Sequence, residues 1–505
     1  MSLLVQYVFR LCRRIDPAPA AFIISLALSA IAVGGSSELN RDGMLYVDTA
    51  RVLTLGGLDS GLARFDWIVL PALIAGLSTL TGLGFESAGY LLMALLMAGT
   101  CAMLVQCPRR LFPETAWAAC LVALALPAFN EYRDHILREF GFWFFSLVAF
   151  WLALRWVDRP RWSLALAEQL AVAGAMAFRL EAAILYPALW WWQFRTAQRD
   201  NVASPLAFSS GRHALMLGVV PGLVLLMWML TYMSGLFELS GRAASYLHSV
   251  NVGAKMELFT QQAARLADVV LNDLSRDEAT YILFFGLLSM IPVKFAAMSG
   301  IFLVPLVFGF LHRSPAALLA RWQPFGWAFA AYLLILAAFV TDRFFVTGRY
   351  ASFLNMLAVP LFAAGLVCMM ERWPRWRPWL VAIAAVSMLA NVISLSPAKR
   401  QYAEAGAWLK ARQPDAARVY IESRRVSYYA GRGFLRTPME RAVALEDLAG
   451  ERFDLFVLEH EAADEAALGS FVQGHQLILV TKFEGPGIDV LVLAPRRANS
   501  PSPTR

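Results

Sequence analysis

Charge is scarce in this chain. Asp, Glu, Lys and Arg make up 16% of its 505 residues while 59% are hydrophobic, where soluble domains run to about a quarter charged. Mean hydropathy is +0.55. Such a surplus cannot be hidden in one aqueous core, because a folded domain still presents much of its surface to water. A soluble enzyme, a nucleic-acid module and a disordered scaffold are excluded. Lysine is scarcer still, with five residues. The formal charge of +7 therefore rests on arginine, set in short loops between apolar runs, the pattern of cytoplasmic loops in a helical membrane protein.

Other absences narrow the reading. The five cysteines, Cys12, Cys101, Cys107, Cys120 and Cys368, form no CxxC or Cys/His spacing, which excludes a disulfide framework or structural zinc site and leaves small buried residues. Of six histidines only His135 lies near the acidic residues of the outer loops between spans, so a histidine-rich metal site finds no support there. No Asn heads an Asn-X-Ser/Thr pattern, which favours a bacterial inner membrane over a eukaryotic lumen. No internal repeat or low-complexity tract occurs. The first apolar run, Pro17–Gly35, follows Arg10, Arg13 and Arg14 without a cleavage site, and reads as a signal-anchor with its N-terminus inside.

A helix needs about 20 apolar residues to cross the hydrocarbon core. The expected spans are Pro17–Gly35, Ser87–Gln106, Glu114–Phe129, Glu139–Val157, Ser163–Phe178, Ala182–Phe194, Ala214–Met233, Lys294–Leu311, Phe325–Val340, Tyr350–Met370 and Trp379–Leu395. Two further runs, Phe65–Gly82 and Thr280–Pro292, are placed on the outer side by arginine bias. With neither crossing, the loops Cys107–Pro113, Arg155–Trp162 and Arg195–Arg212 hold eight arginines inside, against three in Asn130–Arg138 and Arg179–Glu181 outside. Eleven spans put the C-terminus outside. The expected fold class is a polytopic α-helical membrane protein with a C-terminal extracytoplasmic α/β domain. The membrane module covers 1–396, the soluble domain 397–498 and a disordered tail 499–505. Within the domain, Lys399–Arg412 reads as an amphipathic helix. Arg418–Glu422, Phe453–Leu458, Gln476–Thr481 and Asp489–Leu493 read as strands, the last two joined by Glu484-Gly485-Pro486-Gly487.

Ionisable residues at a membrane boundary are costly and mark function. Asp42 heads an outer segment in which it serves either as a helix N-cap or in chemistry, while Asp48 and Arg51, three apart, read as a solvated surface pair. Asn130–Gly141 gathers Glu131, Arg133, Asp134, His135, Arg138 and Glu139 just before a span. Arg179 and Glu181 flank a polar break between two short helices. Asp342-Arg343 and Gly348-Arg349-Tyr350 bracket a further outer loop. Acid paired with arginine in four outer places suits an anionic, membrane-borne substrate, because Arg binds phosphate through a planar fork.

At these residues the sequence resembles the GT-C superfamily of polyprenyl-phosphate-sugar glycosyltransferases, nearest to the aminoarabinose transferases and protein O-mannosyltransferases. The early acid of that family corresponds to Asp42-Gly43 with Tyr46 and Ala50, the second acid being absent. The Arg-gap-acid of its next outer loop is met by Arg133-Asp134 and by Arg138-Glu139, the latter directly before an aromatic-rich span. Arg349-Tyr350 looks like the Arg-Tyr that opens a late span, and Tyr428-Tyr429-Ala430-Gly431-Arg432 resembles a segment of the C-terminal domains. The Lys-Pro-Pro motif of the aminoarabinose transferases is missing, with only Pro71 in the matching helix, which argues against lipid A activity.

The resemblance implies inverting transfer of a sugar from a polyprenyl-phosphate donor to a lipid, glycan or protein acceptor on the outer membrane face. Such a donor carries its own leaving group, so one carboxylate suffices as base; that role falls to Asp42, with Glu139 or Asp134 orienting the acceptor or holding an optional divalent cation with Asp42. Preplaced cations stabilise the leaving phosphate. Arg349 comes first, then Arg138 and Arg133, with Lys294 further; Tyr350, Arg179, Glu181 and Tyr46 complete the binding set. No nucleic acid is expected. The rival readings are a polyprenyl-linked glycan flippase, which would show paired repeats, and an O-antigen polymerase or ligase, which would carry a large outer loop between late spans.

Overall fold

The computed structural model describes residues 15–201, 209–233, 252–393, 397–412, 418–435, 437–446, 453–461 and 465–496. The chain is mostly helical. By length and composition among the described residues, five helical stretches can cross a membrane: Pro17–Gly35, Phe85–Leu111, Glu139–Asp158, Arg276–His312 and Phe325–Arg343. Gly348–Leu357 and Val359–Arg372, bent by 61°, make a sixth if they count as one span. Val69–Thr81, Pro113–Ala125, Trp162–Phe178 and Ala214–Leu223 are shorter apolar helices. Cys101, Cys107, Cys120 and Cys368 are free and buried, as expected of small packing residues; Cys12 lies outside the described residues.

Two compact units emerge, and neither is a single stretch of chain. The first is drawn from the described residues of Met1–Ala32, Leu91–Arg133 and Arg138–Ile393. Of the five candidate spans Glu139–Asp158 is the most buried, with Phe140, Phe142, Trp143, Phe150 and Trp156 almost fully enclosed. Phe150 stacks on Phe325 at 4.5 Å, and Phe142 meets Phe353 at 4.5 Å. Close approaches are made where side chains are missing. A Cβ on Gly365 would come within 2.0 Å of the Pro305 carbonyl oxygen, and one on Gly309 within 3.0 Å of Gly365 Cα. Leu303–His312 and Val359–Arg372 therefore touch backbone to backbone, as small residues allow between membrane helices.

One expected boundary is corrected here. Thr280–Pro292 is not a separate outer helix: it lies inside one continuous helix, Ala279–Ser299, which also contains Lys294. Pro292 is accommodated within that helix, and the break comes at Gly300, whose φ of +53° suits only a residue without a side chain.

The second unit is drawn from the described residues of Val33–Tyr90, Asp134–Leu137 and Ser394–Arg505. It contains a four-stranded sheet of β1 (Val419–Ile421), β2 (Leu455–Glu461), β3 (Leu477–Phe483) and β4 (Ile488–Pro495) in the order β1-β2-β4-β3. β1 and β2 are parallel; β4 is antiparallel to both its neighbours. Period-two alternation sorts the side chains. Leu455, Val457, Val490 and Val492 pack with Tyr402, Ala405 and Leu409 of the helix Gln401–Arg412. Phe456, Leu458, Leu491 and Leu493 pack on the other face with Phe471 and Val472 of Glu465–Gly474. The expected strands and helix are present to within a few residues.

Arg41–Arg64 belongs to this unit and is kinked at Gly57, whose φ is +75°. The kink turns Arg64 back to Asp48. The Asp48 carboxylate, 3% exposed, accepts from Arg64 Nε at 2.9 Å and Nη2, and from the Phe434 N–H at 3.1 Å. The reading of Asp48 and Arg51 as a solvated pair is thus overturned: Arg51 stands off at 3.8 Å, and the main partner is Arg64 beyond the kink.

Candidate functional site

In the first unit, four charged side chains from three parts of the sequence meet. Helix Glu139–Asp158 begins with Glu139, an acid in the first turn where the helix dipole favours it. Two residues on, Gly141 lets the Phe178 ring approach so closely that a Cβ would sit 2.3 Å from it. Phe178 ends the helix Trp162–Phe178, and the next residue, Arg179, is in extended conformation with φ −146°. The missing side chain at Gly141 is thus what brings the helix end carrying Arg179 against Glu139.

Arg179 Nη1 donates to Glu139 Oε1 at 2.7 Å and Nη2 donates to Glu181 Oε1 at 2.8 Å. Arg349, in the first turn of Gly348–Leu357, brings its Nε to 3.0 Å from the same Glu139 oxygen. Both guanidinium groups lie over one ring, Arg179 at 4.9 Å and Arg349 at 5.7 Å from the Tyr350 centroid, within cation–π range. Tyr332, nearly fully buried, donates its hydroxyl to the Tyr350 carbonyl at 3.2 Å. Side-chain exposure rises from 6% at Glu139 and 10% at Arg179 to 22% at Glu181 and 28% at Arg349. The network is anchored inside and opens at Arg349.

Burial tends to push the Glu181 carboxyl up, but Arg179, by charge and hydrogen bond, holds it below the ordinary carboxylate value, with Arg138 adding a smaller pull. Burial works against the charge on Arg179; Glu139 and Glu181 more than offset it. Tyr132 is pushed up to about 12 by burial and by Glu131, and also senses Arg349 and Glu139. Two arginines held by two carboxylates in a water-poor setting make a preorganised cationic edge suited to an oxyanion. Arg349 also stands at a helix N-terminus, where backbone dipoles add positive potential.

Of the residues singled out by sequence, the structure thus joins Glu139, Arg179, Glu181, Arg349 and Tyr350, with Arg138 close enough to influence Glu181. Arg133 is not among them. It is 1% exposed, and its donors go to Asn130 Oδ1, to the Ser25 carbonyl and hydroxyl, to Ser29 Oγ and, at 3.7 Å, to Cys101 Sγ. It ties Pro17–Gly35 to the helical unit. Lys294 is half-buried within Ala279–Ser299.

The remaining candidates belong to the second unit. Asp42 lies in the first turn of Arg41–Arg64, but the N-cap is Asn40, whose side chain both accepts from and donates to the Ile136 backbone. The capping account of Asp42 therefore falls. Tyr46 is buried, its ring 5.6 Å from that of Phe65. Asp134 lies 3.7 Å from His135. In the conspicuous Tyr-Tyr-Ala-Gly-Arg segment, Tyr428 donates to Glu86 at 2.6 Å and Tyr429 accepts from the Leu39 N–H at 2.9 Å. Among the described residues no three His, Cys, Asp or Glu side chains gather as a metal site.

Sequence reasoning passed over Asp48–Arg64, Glu86–Tyr428 and Tyr332. Asp48–Arg64 closes across the kink at Gly57, Glu86–Tyr428 links distant segments, and Tyr332 sits unmarked in an apolar run; only a polar group inside such a run signalled it.

Among solved structures, the chain resembles the oligosaccharyltransferase of Archaeoglobus fulgidus, solved tethered with an acceptor peptide containing an NVT sequon. The match has 11% identity and a TM-score of 0.44, over 84% of this chain and 61% of that one; the chain therefore spans less than two thirds of that protein's length. It also resembles ArnT from Cupriavidus metallidurans. The match to ArnT bound to undecaprenyl phosphate has 12% identity and a TM-score of 0.40 over 93% of this chain and 97% of that one. The match to the apo state has 13% identity and the same score and coverage. Both proteins are glycosyltransferases of the GT-C superfamily. No protein-family model and no curated protein matches the chain.

Proposed function

We propose that this protein is an inverting membrane glycosyltransferase that moves a sugar from a polyprenyl-phosphate donor to a hydroxyl on a lipid, glycan or protein. The observation that carries the reading is the buried Glu139–Arg179–Glu181–Arg349 network, which holds a partly exposed guanidinium at the start of the helix Gly348–Leu357. As the glycosidic bond breaks, the donor phosphate moves from one negative charge toward two, and Arg349 stabilises that change, with Arg138 beside it. Glu139 sets the direction of Arg349. The acceptor hydroxyl attacks the anomeric carbon and gives its proton to a carboxylate. Asp42 is the proposed base, and a divalent cation is an optional companion. The reading carries with it an inner-membrane location, eleven spans, a cytoplasmic N-terminus, and residues 397–498 on the outer side.

The test is an assay of purified protein with a synthetic polyprenyl-phosphate sugar and lipid, glycan and protein extracts from cells lacking the gene. The reading predicts one-to-one release of polyprenyl phosphate and a new glycoside of inverted anomeric configuration. A donor that stays intact with every extract, or that reappears across a vesicle bilayer unchanged, overturns it.

A further inference from the structure

Away from the charged network, the first unit contains a cavity of about 490 Å³ whose lining includes Lys255, Phe259, Thr280, Phe284, Ala338 and Asp342. That volume lies within the range of small-molecule sites. Its walls come from three helices. Thr280, Tyr281 and Phe284 stand in the opening turns of Ala279–Ser299, and Ala338, Thr341 and Asp342 in the closing turns of Phe325–Arg343. The cavity is therefore at the ends of two candidate spans, the level at which head groups meet hydrocarbon. The third wall, Val252–Val269, shows outward apolar residues, Leu258 at 43% and Val269 at 82% exposed, as a helix lying in an interface does.

Aromatic and aliphatic side chains make up most of the lining, and the charged exception is a single pair. Lys255 Nζ is 2.9 Å from Asp342 Oδ1, with the two side chains 35% and 22% exposed. Arg343, outside the lining, holds the other Asp342 oxygen at 3.2 Å. The wall thus offers Lys255 and the Asp342 carboxylate beside an apolar slot, with Arg343 behind Asp342 as a second cation. An anionic head group would meet the Asp342 carboxylate as a like charge. A head group bearing a phosphate and a primary ammonium matches both, phosphate to Lys255 and ammonium to Asp342.

We infer that this cavity binds a zwitterionic phospholipid with a primary ammonium head group, one acyl chain lying along Phe259, Phe284 and Ala338. None of these residues belongs to the proposed transfer machinery. The test is native mass spectrometry of the full-length protein in detergent, titrated with phosphatidylethanolamine, phosphatidylcholine and phosphatidylglycerol. Phosphatidylethanolamine should be retained at least about tenfold more strongly than the other two. Asp342→Asn should erase that preference while phosphatidylglycerol binding holds or rises. Lys255→Ala should weaken binding of all three, and Ala338→Phe, which fills the slot, should remove the retained lipid. Melting temperature measured without added lipid identifies any variant that fails to fold; the titration is then carried by Thr341→Val and Lys255→Gln. Equal retention of phosphatidylglycerol, or a preference unchanged in Asp342→Asn, overturns the inference and leaves only annular lipid.

Discussion

Arg179 and Glu139, buried and 2.7 Å apart, close a contact between the end of one helix and the start of another. Glu139 also holds Arg349, so it is the hub on which both cations depend. Glu139→Gln leaves Arg179 with Glu181 alone and Arg349 without its buried counter-charge. Breaking a buried pair costs about 3–5 kcal/mol, and the remaining Glu181 contact keeps the expected loss near the lower end. Melting temperature in a fixed detergent measures it. A Gln variant as stable as wild type would show that the cluster is too well hydrated for this account.

Arg349→Lys keeps the charge and loses the planar fork. Donor binding should weaken while the melting temperature stays within a few degrees of wild type. Arg349→Ala should lower turnover by about two to three orders of magnitude, the scale seen when a preorganised oxyanion donor is removed. Donor affinity that is unchanged in Arg349→Ala would assign this residue to packing on Tyr350.

Asp42→Asn keeps the shape of the side chain and leaves the cap at Asn40 intact, so stability should stay close to wild type, and it should lower transfer by about two to four orders of magnitude as the base is lost. Asp59→Asn, on an exposed stretch of the same helix, is the matched control. Near wild-type turnover in Asp42→Asn would shift the test to Glu139.

Asp48→Ala should act on folding. It leaves Arg64 and the Phe434 N–H without their shared acceptor, so Arg41–Arg64 should loosen and become more rapidly cleaved in limited proteolysis near Gly57. Cleavage at the wild-type rate would contradict a structural role.

Glu181 gives the cluster a pH signature. Its folded-state affinity for protons lies below the ordinary carboxylate value, so its contribution to stability is complete above about pH 5 and is lost as the pH falls through and below the ordinary value of about 4.3. The melting-temperature gap between wild type and Glu181→Gln should be constant from pH 8 to 6 and should narrow below about pH 4. A gap that widens on acidification would reverse the sign and remove Arg179 as the cause.

Much of this was legible in the sequence, for identifiable reasons. The strands near 419, 455, 477 and 488 announce themselves because alternation with period two is a local pattern. Glu139, Arg179 and Arg349 are conspicuous one by one, since each interrupts apolar sequence at a helix end. Their convergence is not local: it depends on Gly141 admitting Phe178, a packing fact with no linear signature. Asp48 was misread for the same reason. Spacing pointed to Arg51, whereas the kink at Gly57 folds Arg64 back onto it. Pro292 and Lys294 suggested a helix end, but an apolar helix carries both, and the true break is the left-handed Gly300.

The backbone contact between Gly365 and Pro305 has a mechanical consequence. With no clearance between Leu303–His312 and Val359–Arg372, one arm of the 61° elbow is clamped. The other arm, Gly348–Leu357, is buried over Ala351–Leu357, with Phe353 on Phe142 and Asn355 donating to Ser299 Oγ, and carries Arg349 at its less buried end. At 1.5 Å per residue that arm is about 14 Å long, so a tilt of roughly four degrees at the elbow displaces the guanidinium by about 1 Å. Such a shift exceeds the whole spread of good hydrogen-bond lengths. The alignment of Arg349 with Glu139 therefore depends on the clamped elbow as well as on the packing along the arm, and two glycines that touch neither residue help to set it.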